Sequence, residues 1–188
     1  MSDPTHSLLV QIWAPRELRY AMLNADGYGL GWYPNVGKPA VYVNPNPIWT
    51  DPNLPHLGRA LASGLWLASI RSATIGNPVN HANTQPFADN EFLFDHNGLI
   101  DNFHDQVRPR ITAELAPAYL PAIRGNTESE YLFAAFRQEL NDNPDLAMEK
   151  ALSNLMKKTE GWIDGNRALL TIVVSDGERL YAVRHAID

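Results

Sequence analysis

One arginine stands at the end of a predicted apolar strand, where its side chain could bind an anion. Arg71 closes the strand predicted at Trp66–Arg71, and a guanidinium in apolar surroundings requires an anion. A carboxylate of the chain itself, such as Asp95 or Asp101, is one candidate. A carboxylate of a bound ligand is the other, and the sequence leaves both open.

A second motif follows the strand predicted at Glu91–His96, which leads directly into Asn97-Gly98. An Asn-Gly pair taken alone indicates a hairpin turn. In the alternative interpretation, the Asn97 amide and the Gly98 N–H converge and form an oxyanion hole. Such a pair of donors stabilises the tetrahedral intermediate of acyl transfer. We interpret His96 as a structural histidine rather than a general base.

The third motif is a set of alternating glycines, Gly27, Gly29 and Gly31, that enters the aromatic strand predicted at Tyr28–Tyr33. Alternation leaves one face of this strand without side chains, so another group must approach the backbone closely. That group is either a packed segment of the chain or a ligand. The pattern is not a dinucleotide fingerprint, because these glycines do not open a helix.

Composition excludes several classes of function. The 188 residues include 21 acidic and 15 basic side chains, a net charge of −6, which argues against a nucleic-acid partner. No apolar run approaches the roughly 20 residues that cross a bilayer, so we predict a cytoplasmic protein. There is no cysteine, and the six histidines show no metal-ligand spacing. We therefore predict neither a metal nor a cofactor.

Short strands and clustered helices must position these motifs, and they indicate an α+β fold in one domain over residues 1–188. Asp176-Gly177 predicts a two-residue type I′ turn between the last two strands. The predicted strands are Tyr28–Tyr33, Ala40–Val43, Trp66–Arg71, Glu91–His96, Ala168–Val174 and Leu180–Arg184.

Two helices are predicted in the second half of the chain. Thr127 and Glu130 have capping-box spacing, in which each side chain bonds the other residue's amide. Asn143-Pro144 is predicted to begin the next helix, with an apolar stripe that includes Leu152 and Leu155. Weaker helices are predicted from His56 to about Ser63 and after Phe103, the latter interrupted near Pro109.

Five segments in this order resemble the class II glutamine amidotransferases of the N-terminal-nucleophile hydrolase fold. The resemblance runs from about Asp3 to Ala186 and is greatest to the amidohydrolases of ergothioneine biosynthesis, because D-P-T-H-S-L-L and A-P-R match the opening of that group. It implies a four-layer αββα sandwich of two antiparallel sheets. The segments are N-A-D-G-Y-G-L-G-W-Y, R-S-A-T-I-G, N-T-Q-P-F, D-H-N-G and G-N-T-E-S-E, which begin at Asn24, Arg71, Asn83, Asp95 and Gly125.

The resemblance also implies roles for individual residues. Arg71 would hold the α-carboxylate of a γ-glutamyl group, and Glu128 would hold its α-ammonium, although Glu128 also suits the first turn of any helix. Thr74 and Gly27 would frame the glutamyl pocket. Asn97 and Gly98 would form the oxyanion hole.

The chain departs from this family in its nucleophile, which in the family is a cysteine at the mature N-terminus. This chain has no cysteine, and we expect it to lack the family's first strand and its C-terminal segment. Three hypotheses follow: a γ-glutamyl amide hydrolase or glutamine amidotransferase, an inactive γ-glutamyl-binding module, or a fragment that pairs with a partner, including a second copy of itself. The predicted ligand is glutamine or a γ-glutamyl-cysteinyl conjugate of a histidine betaine.

Overall fold

The chain forms two compact units in a computed structural model that describes residues 5, 7–14, 23–35, 37–74 and 76–188. The first unit comprises Met1–Leu93 with Ser175–Glu178, and the second comprises Phe94–Val174 with Arg179–Asp188. The quoted opening segments D-P-T-H-S-L-L and A-P-R lie partly outside the described residues. A single domain over residues 1–188 stays a prediction.

Strands and helices alternate in blocks along the described ranges. The strands are β1 (Tyr28–Trp32), β2 (Ala40–Asn44), β3 (Trp66–Ile70), β4 (Phe87–Ala88), β5 (Leu93–Ile100), β6 (Ala168–Ser175) and β7 (Leu180–Ile187). The α-helices are α1 (Val10–Trp13), α2 (Leu54–Ala60), α3 (Arg108–Glu114), α4 (Glu128–Asp142) and α5 (Met148–Ile163). Short 3-10 helices cover Ile48–Thr50, His81–Asn83 and Leu120–Ala122, and a π-helical turn covers Phe103–Val107.

A three-stranded antiparallel sheet of order β2-β1-β3 forms the centre of the first unit. Tyr28 lies opposite Asn44 on one side and Ile70 on the other. Leu30 is buried beside Tyr28 in the core of this unit, because alternate residues of a strand share a face. Apolar burial of this kind supplies most of the driving force for folding.

The face of β1 that has no side chains is covered by the chain itself. A Cβ atom on Gly29 would lie 2.0 Å from the Gln85 carbonyl oxygen, and one on Gly31 would lie 2.8 Å from Leu93 Cδ2. The packing interpretation of the alternating glycines is therefore correct at these two positions. The alternative, a ligand lying against this strand, is wrong there because protein atoms already occupy the space.

The second unit contains most of a four-stranded sheet of order β4-β5-β6-β7, and both sheets found among the described residues are antiparallel. Phe94 of β5 stacks on Phe133 of α4, with ring centroids 5.0 Å apart. Leu152 and Leu155 of α5 are buried, as their stripe predicts. The predicted α+β class with two antiparallel sheets is confirmed.

Several predicted boundaries differ from the structure. Asp176-Gly177 does not form a type I′ turn: the loop of the β6-β7 hairpin spans four residues, and only its glycine has a positive φ, +95°. Helix α5 begins at Met148 rather than at Asn143-Pro144. Pro109 lies in the first turn of α3, directly after the π-helical turn Phe103–Val107, so the helical hydrogen-bonding pattern changes near this proline.

A search of the described residues for a helix that is long and apolar enough to cross a membrane finds none.

Candidate functional site

Two of the predicted site residues, Gly27 and Arg71, belong to a single hydrogen-bonded cluster in the first unit, and a third, Thr74, follows the cluster in sequence. The Arg71 amide donates to the Gly27 carbonyl at 2.9 Å, and the Asp26 amide donates to the Arg71 carbonyl at 2.9 Å. Asp26 Oδ2 also accepts a 2.8 Å bond from the Ala73 amide. The segment that contains Gly27 is thereby joined to the loop that contains Arg71 and, one residue beyond Ala73, Thr74.

The side chain of Arg71 extends this cluster. Its Nη1 donates to the Pro78 carbonyl at 3.2 Å, and the same carbonyl accepts a 2.9 Å bond from Asn83 Nδ2. Asp101, one of the predicted carboxylate partners of Arg71, forms its ion pair with Arg167 instead, with Nε and Oδ2 3.2 Å apart. The pairing of Arg71 with Asp95 stays a prediction.

Gly27 has a conformation that suits glycine. Its φ is +113°, a region that side-chain-bearing residues rarely adopt, and a Cβ atom there would lie 3.0 Å from the Asn44 carbonyl oxygen. The Thr84 hydroxyl would be 3.3 Å away. Three of the five quoted segments, those that begin at Asn24, Arg71 and Asn83, therefore meet around Gly27.

Asn97 and Gly98 lie within strand β5, not in a turn after it. The strand continues to Ile100, so the prediction of a hairpin turn at Asn-Gly is wrong. Both residues are exposed on a strand whose other positions are largely buried. A Cβ atom on Gly98 would lie only 1.8 Å from the Leu169 carbonyl oxygen, which explains why no larger residue fits there.

His96 connects this strand to helix α4. Its Nδ1 and the Ser129 hydroxyl share a 3.0 Å hydrogen bond, and both side chains are buried. Burial lowers the pKa of His96 to about 4, although an interaction with the Leu169 backbone acts in the opposite direction. His96 is therefore neutral at pH 7, which agrees with its interpretation as a structural residue.

The start of α4 differs from the predicted capping box. The helix does begin after Thr127, but the Thr127 side chain does not cap it. The Glu130 amide donates to the Thr127 backbone carbonyl instead. The Glu130 carboxylate accepts bonds from the amides of Arg124 and Gly125 at 2.9 and 2.7 Å. Burial raises the pKa of Glu130, and these two amides oppose that shift.

Two polar side chains are buried at this helix start. Glu128, the first residue of α4, is 6% exposed. Thr127 is buried as well, and its hydroxyl has no hydrogen-bond partner among the described residues. A buried hydroxyl without a partner is unfavourable by itself, so its position next to Glu128 is consistent with a place for a polar ligand group.

A buried carboxylate in the first unit was missed by the sequence analysis. Asp51 accepts hydrogen bonds from the hydroxyls of Tyr28 and Tyr42, from the Asn44 side chain and from the Asn53 amide. Burial alone would raise the pKa of Asp51, but these bonds hold it well below its ordinary value. Burial and the same carboxylate raise the pKa of Tyr28. No single sequence motif carried a signal for this group.

Metal ligation finds no support in the described part of the chain, where no group of three or more His, Cys, Asp or Glu side chains could hold an ion.

Known proteins resemble this chain in both sequence and fold. A family model described as class-II glutamine amidotransferases matches residues 6–186. A Mycolicibacterium smegmatis protein named gamma-glutamyl-hercynylcysteine sulfoxide hydrolase is 40% identical over 99 residues, which are 53% of this chain and 44% of that protein. The probable glutamine amidotransferase DUG3 of Saccharomyces cerevisiae is 27% identical over 98% of this chain and 58% of its own length.

A solved structure gives the same result. The glutamine aminotransferase class-II domain protein of Silicibacter pomeroyi superposes with a TM-score of 0.69 and 30% identity, over 87% of this chain and 70% of that one. The two sheets, the ordered motifs and the match over residues 6–186 define the family: the chain belongs to the class-II glutamine amidotransferases. It spans about half the length of the curated relatives that it matches.

Proposed function

We propose that this chain binds the γ-glutamyl group of a γ-glutamyl amide. In this role it forms the glutamyl-binding part of an amide hydrolase or glutamine amidotransferase. Its membership of the class-II family supports this activity. The name of the M. smegmatis relative supports a γ-glutamyl-cysteinyl conjugate of a histidine betaine as one substrate. The description of the family supports glutamine as the other.

The observation that carries the proposal is the cluster around Asp26. It holds Gly27, Arg71 and the loop with Thr74 together through three hydrogen bonds of 2.8 to 2.9 Å. In the proposed role, the Arg71 guanidinium binds the α-carboxylate of the ligand, because two parallel N–H donors match a carboxylate. Gly27 and Thr74 frame the glutamyl chain.

The family resemblance suggests the remaining proposed roles, those of Asn97, Gly98 and Glu128. The Asn97 side chain and the Gly98 N–H donate to the γ-carbonyl oxygen, which becomes negative when the amide is attacked. Glu128, beside the buried Thr127 hydroxyl, binds the α-ammonium. These contacts would orient the amide and stabilise the tetrahedral intermediate.

The complete reaction also requires a nucleophile. A thiolate would attack the γ-carbonyl carbon, the C–N bond would break as the nitrogen takes a proton and leaves as the amine, and water would then hydrolyse the thioester to glutamate and the thiol. The 188 residues contain no cysteine. This absence favours a second candidate function, a γ-glutamyl-binding module without catalysis.

Calorimetry combined with a glutamate assay distinguishes these functions. Glutamine and a γ-glutamyl amide are titrated into the protein, into Arg71→Ala and into a control, Arg59→Ala. The control removes an arginine of α2 whose side chain forms an exposed 2.7 Å hydrogen bond with His56. Loss of a charge-assisted contact should weaken binding about 10- to 100-fold in Arg71→Ala only. Glutamate release would support the hydrolase, and binding without release the module. Absence of binding by the unsubstituted chain would refute both.

A location in the cytoplasm, self-association of the chain and the absence of a nucleic-acid partner stay predictions from the sequence.

A further inference from the structure

We propose that His96 is a positioning residue, which couples the oxyanion-hole pair Asn97-Gly98 to the start of α4 through its hydrogen bond with Ser129. This inference rests on the proposed function, since it assigns His96 a role in aligning two groups that would bind the same ligand. His96 itself would contact neither the ligand nor the reacting atoms.

The hydrogen bond joins residues that lie far apart in sequence. His96 Nδ1 and Ser129 Oγ are 3.0 Å apart across 33 residues, and the two side chains are 3% and 5% exposed. A buried hydrogen bond is shielded from competing water, so it holds a more definite geometry than an exposed one. It fixes β5 and the first turn of α4 to each other at one point.

On the strand side, the His96 imidazole lies close to the backbone of Gly98. His96 and Gly98 lie on the same face of β5 because they are two residues apart. The Cβ position of Gly98 would be 2.8 Å from His96 Nε2 and 1.8 Å from the Leu169 carbonyl oxygen. The imidazole and the neighbouring strand therefore occupy the space that a Cβ atom of Gly98 would need, while the Asn97 side chain belongs to the opposite face of β5.

On the helix side, Ser129 is the second residue of α4 and follows Glu128. The side chain of Thr127, the N-cap residue, makes no capping bond, and its hydroxyl is buried with no hydrogen-bond partner among the described residues. The bond from Ser129 to His96 is thus a lateral polar contact that fixes the first turn. Each end of that bond is one residue from a group proposed to bind the ligand, namely Asn97 on β5 and Glu128 on α4.

Two ligands separate a coupling role from a merely structural one. L-glutamine would use both the oxyanion pair and Glu128. Glutaramate, which is glutamine without its α-ammonium group, keeps the carboxylate and the amide and would lose only the contact with Glu128. Calorimetric titration of both ligands is carried out on the protein, on Ser129→Ala and on a control, Ser153→Ala, which removes an exposed hydroxyl from α5. Circular dichroism checks that each variant is folded.

The expected result is a loss of affinity for glutamine but not for glutaramate. Ser129→Ala should bind glutamine about tenfold more weakly, as expected for one lost hydrogen bond, and should bind glutaramate within about twofold of the original affinity. Ser153→Ala should change neither affinity. His96→Asn, whose side-chain amide can replace Nδ1, should retain more of the glutamine affinity than His96→Gln.

Other outcomes separate the two proposals. If the unsubstituted chain binds both ligands and Ser129→Ala weakens both equally or neither, the coupling is refuted while the γ-glutamyl site stands. If the unsubstituted chain binds neither ligand, the proposed function fails and the coupling fails with it. If Ser129→Ala does not fold, the comparison of His96→Asn with His96→Gln decides, and equal affinities for glutamine would refute the coupling.

Discussion

Replacing Gly98 by alanine should destabilise the protein strongly, because backbone atoms occupy the space that the new methyl group needs. The added Cβ would lie 1.8 Å from the Leu169 carbonyl oxygen, whereas ordinary van der Waals contact begins near 3.4 Å. A flexible side chain could move aside, but this oxygen belongs to β6, whose carbonyls are held by the sheet. The strain must therefore displace β5 or β6.

The magnitude follows from the cost of adding a methyl group where protein atoms already fill the space. Insertions of this kind typically cost about 1–3 kcal/mol, and a clash with backbone belongs at the upper end, so we expect about 3 kcal/mol. For a chain of this length, that loss lowers the melting temperature by about 6–12 °C. Urea unfolding followed by circular dichroism measures the change in the free energy of unfolding as a shift of the midpoint.

A second glycine in the same unit serves as the control. Gly161 lies exposed in α5, and a Cβ atom there would meet nothing within 4 Å. Gly161→Ala should stabilise the protein by about 0.5–1 kcal/mol, because alanine favours the helix. If Gly98→Ala unfolds at the same urea concentration as the unsubstituted protein while Gly161→Ala behaves as expected, the close approach of β6 to Gly98 is wrong.

Two further predictions concern the polar groups that hold the clusters together. Asp26→Ala should weaken glutamine binding about tenfold in calorimetry, because it removes the acceptor of the Ala73 amide and so frees the loop that contains Arg71. Asp26→Asn keeps an acceptor oxygen and should bind glutamine nearly as well as the original protein. Equal binding by all three proteins would contradict the role of Asp26. The pKa of His96 is about 4 in the folded protein and near 6.5 in the unfolded chain. Between these two pH values the unfolded chain binds more protons than the folded protein, so the free energy of unfolding should fall by about 3 kcal/mol from pH 6.5 to pH 4. Urea midpoints across this range should show a shallower dependence in His96→Asn, and an unchanged slope would refute the assignment.

The sequence predicted those elements that local pattern determines. Strand β1 and strand β6 were identified within one residue at each end because their β-branched and aromatic residues are typical of strands. It failed where distant parts of the chain decide. Asn97-Gly98 indicates a turn locally, yet β5 continues through it, with the Leu169 carbonyl against Gly98. Glu130 has capping-box spacing, yet its carboxylate instead bonds two amides that precede the helix.

The candidate site shows the same limit. Arg71 and Asn97-Gly98 could be selected from the sequence because a charge at the end of an apolar strand and an adjacent pair of donors are local features. Asp26 and His96 could not be assigned their contacts, since their partners lie 47 and 33 residues away.

Each unit therefore places its proposed ligand-binding residues through one polar side chain that is not itself expected to contact the ligand. In the first unit this is Asp26, and in the second it is His96. Both follow from a physical requirement: residues that bind a ligand must keep polar atoms available for it, so neighbouring residues must supply the bonds that fix the backbone. Substitutions of Asp26 or His96 should consequently alter affinity while leaving every proposed ligand contact chemically intact.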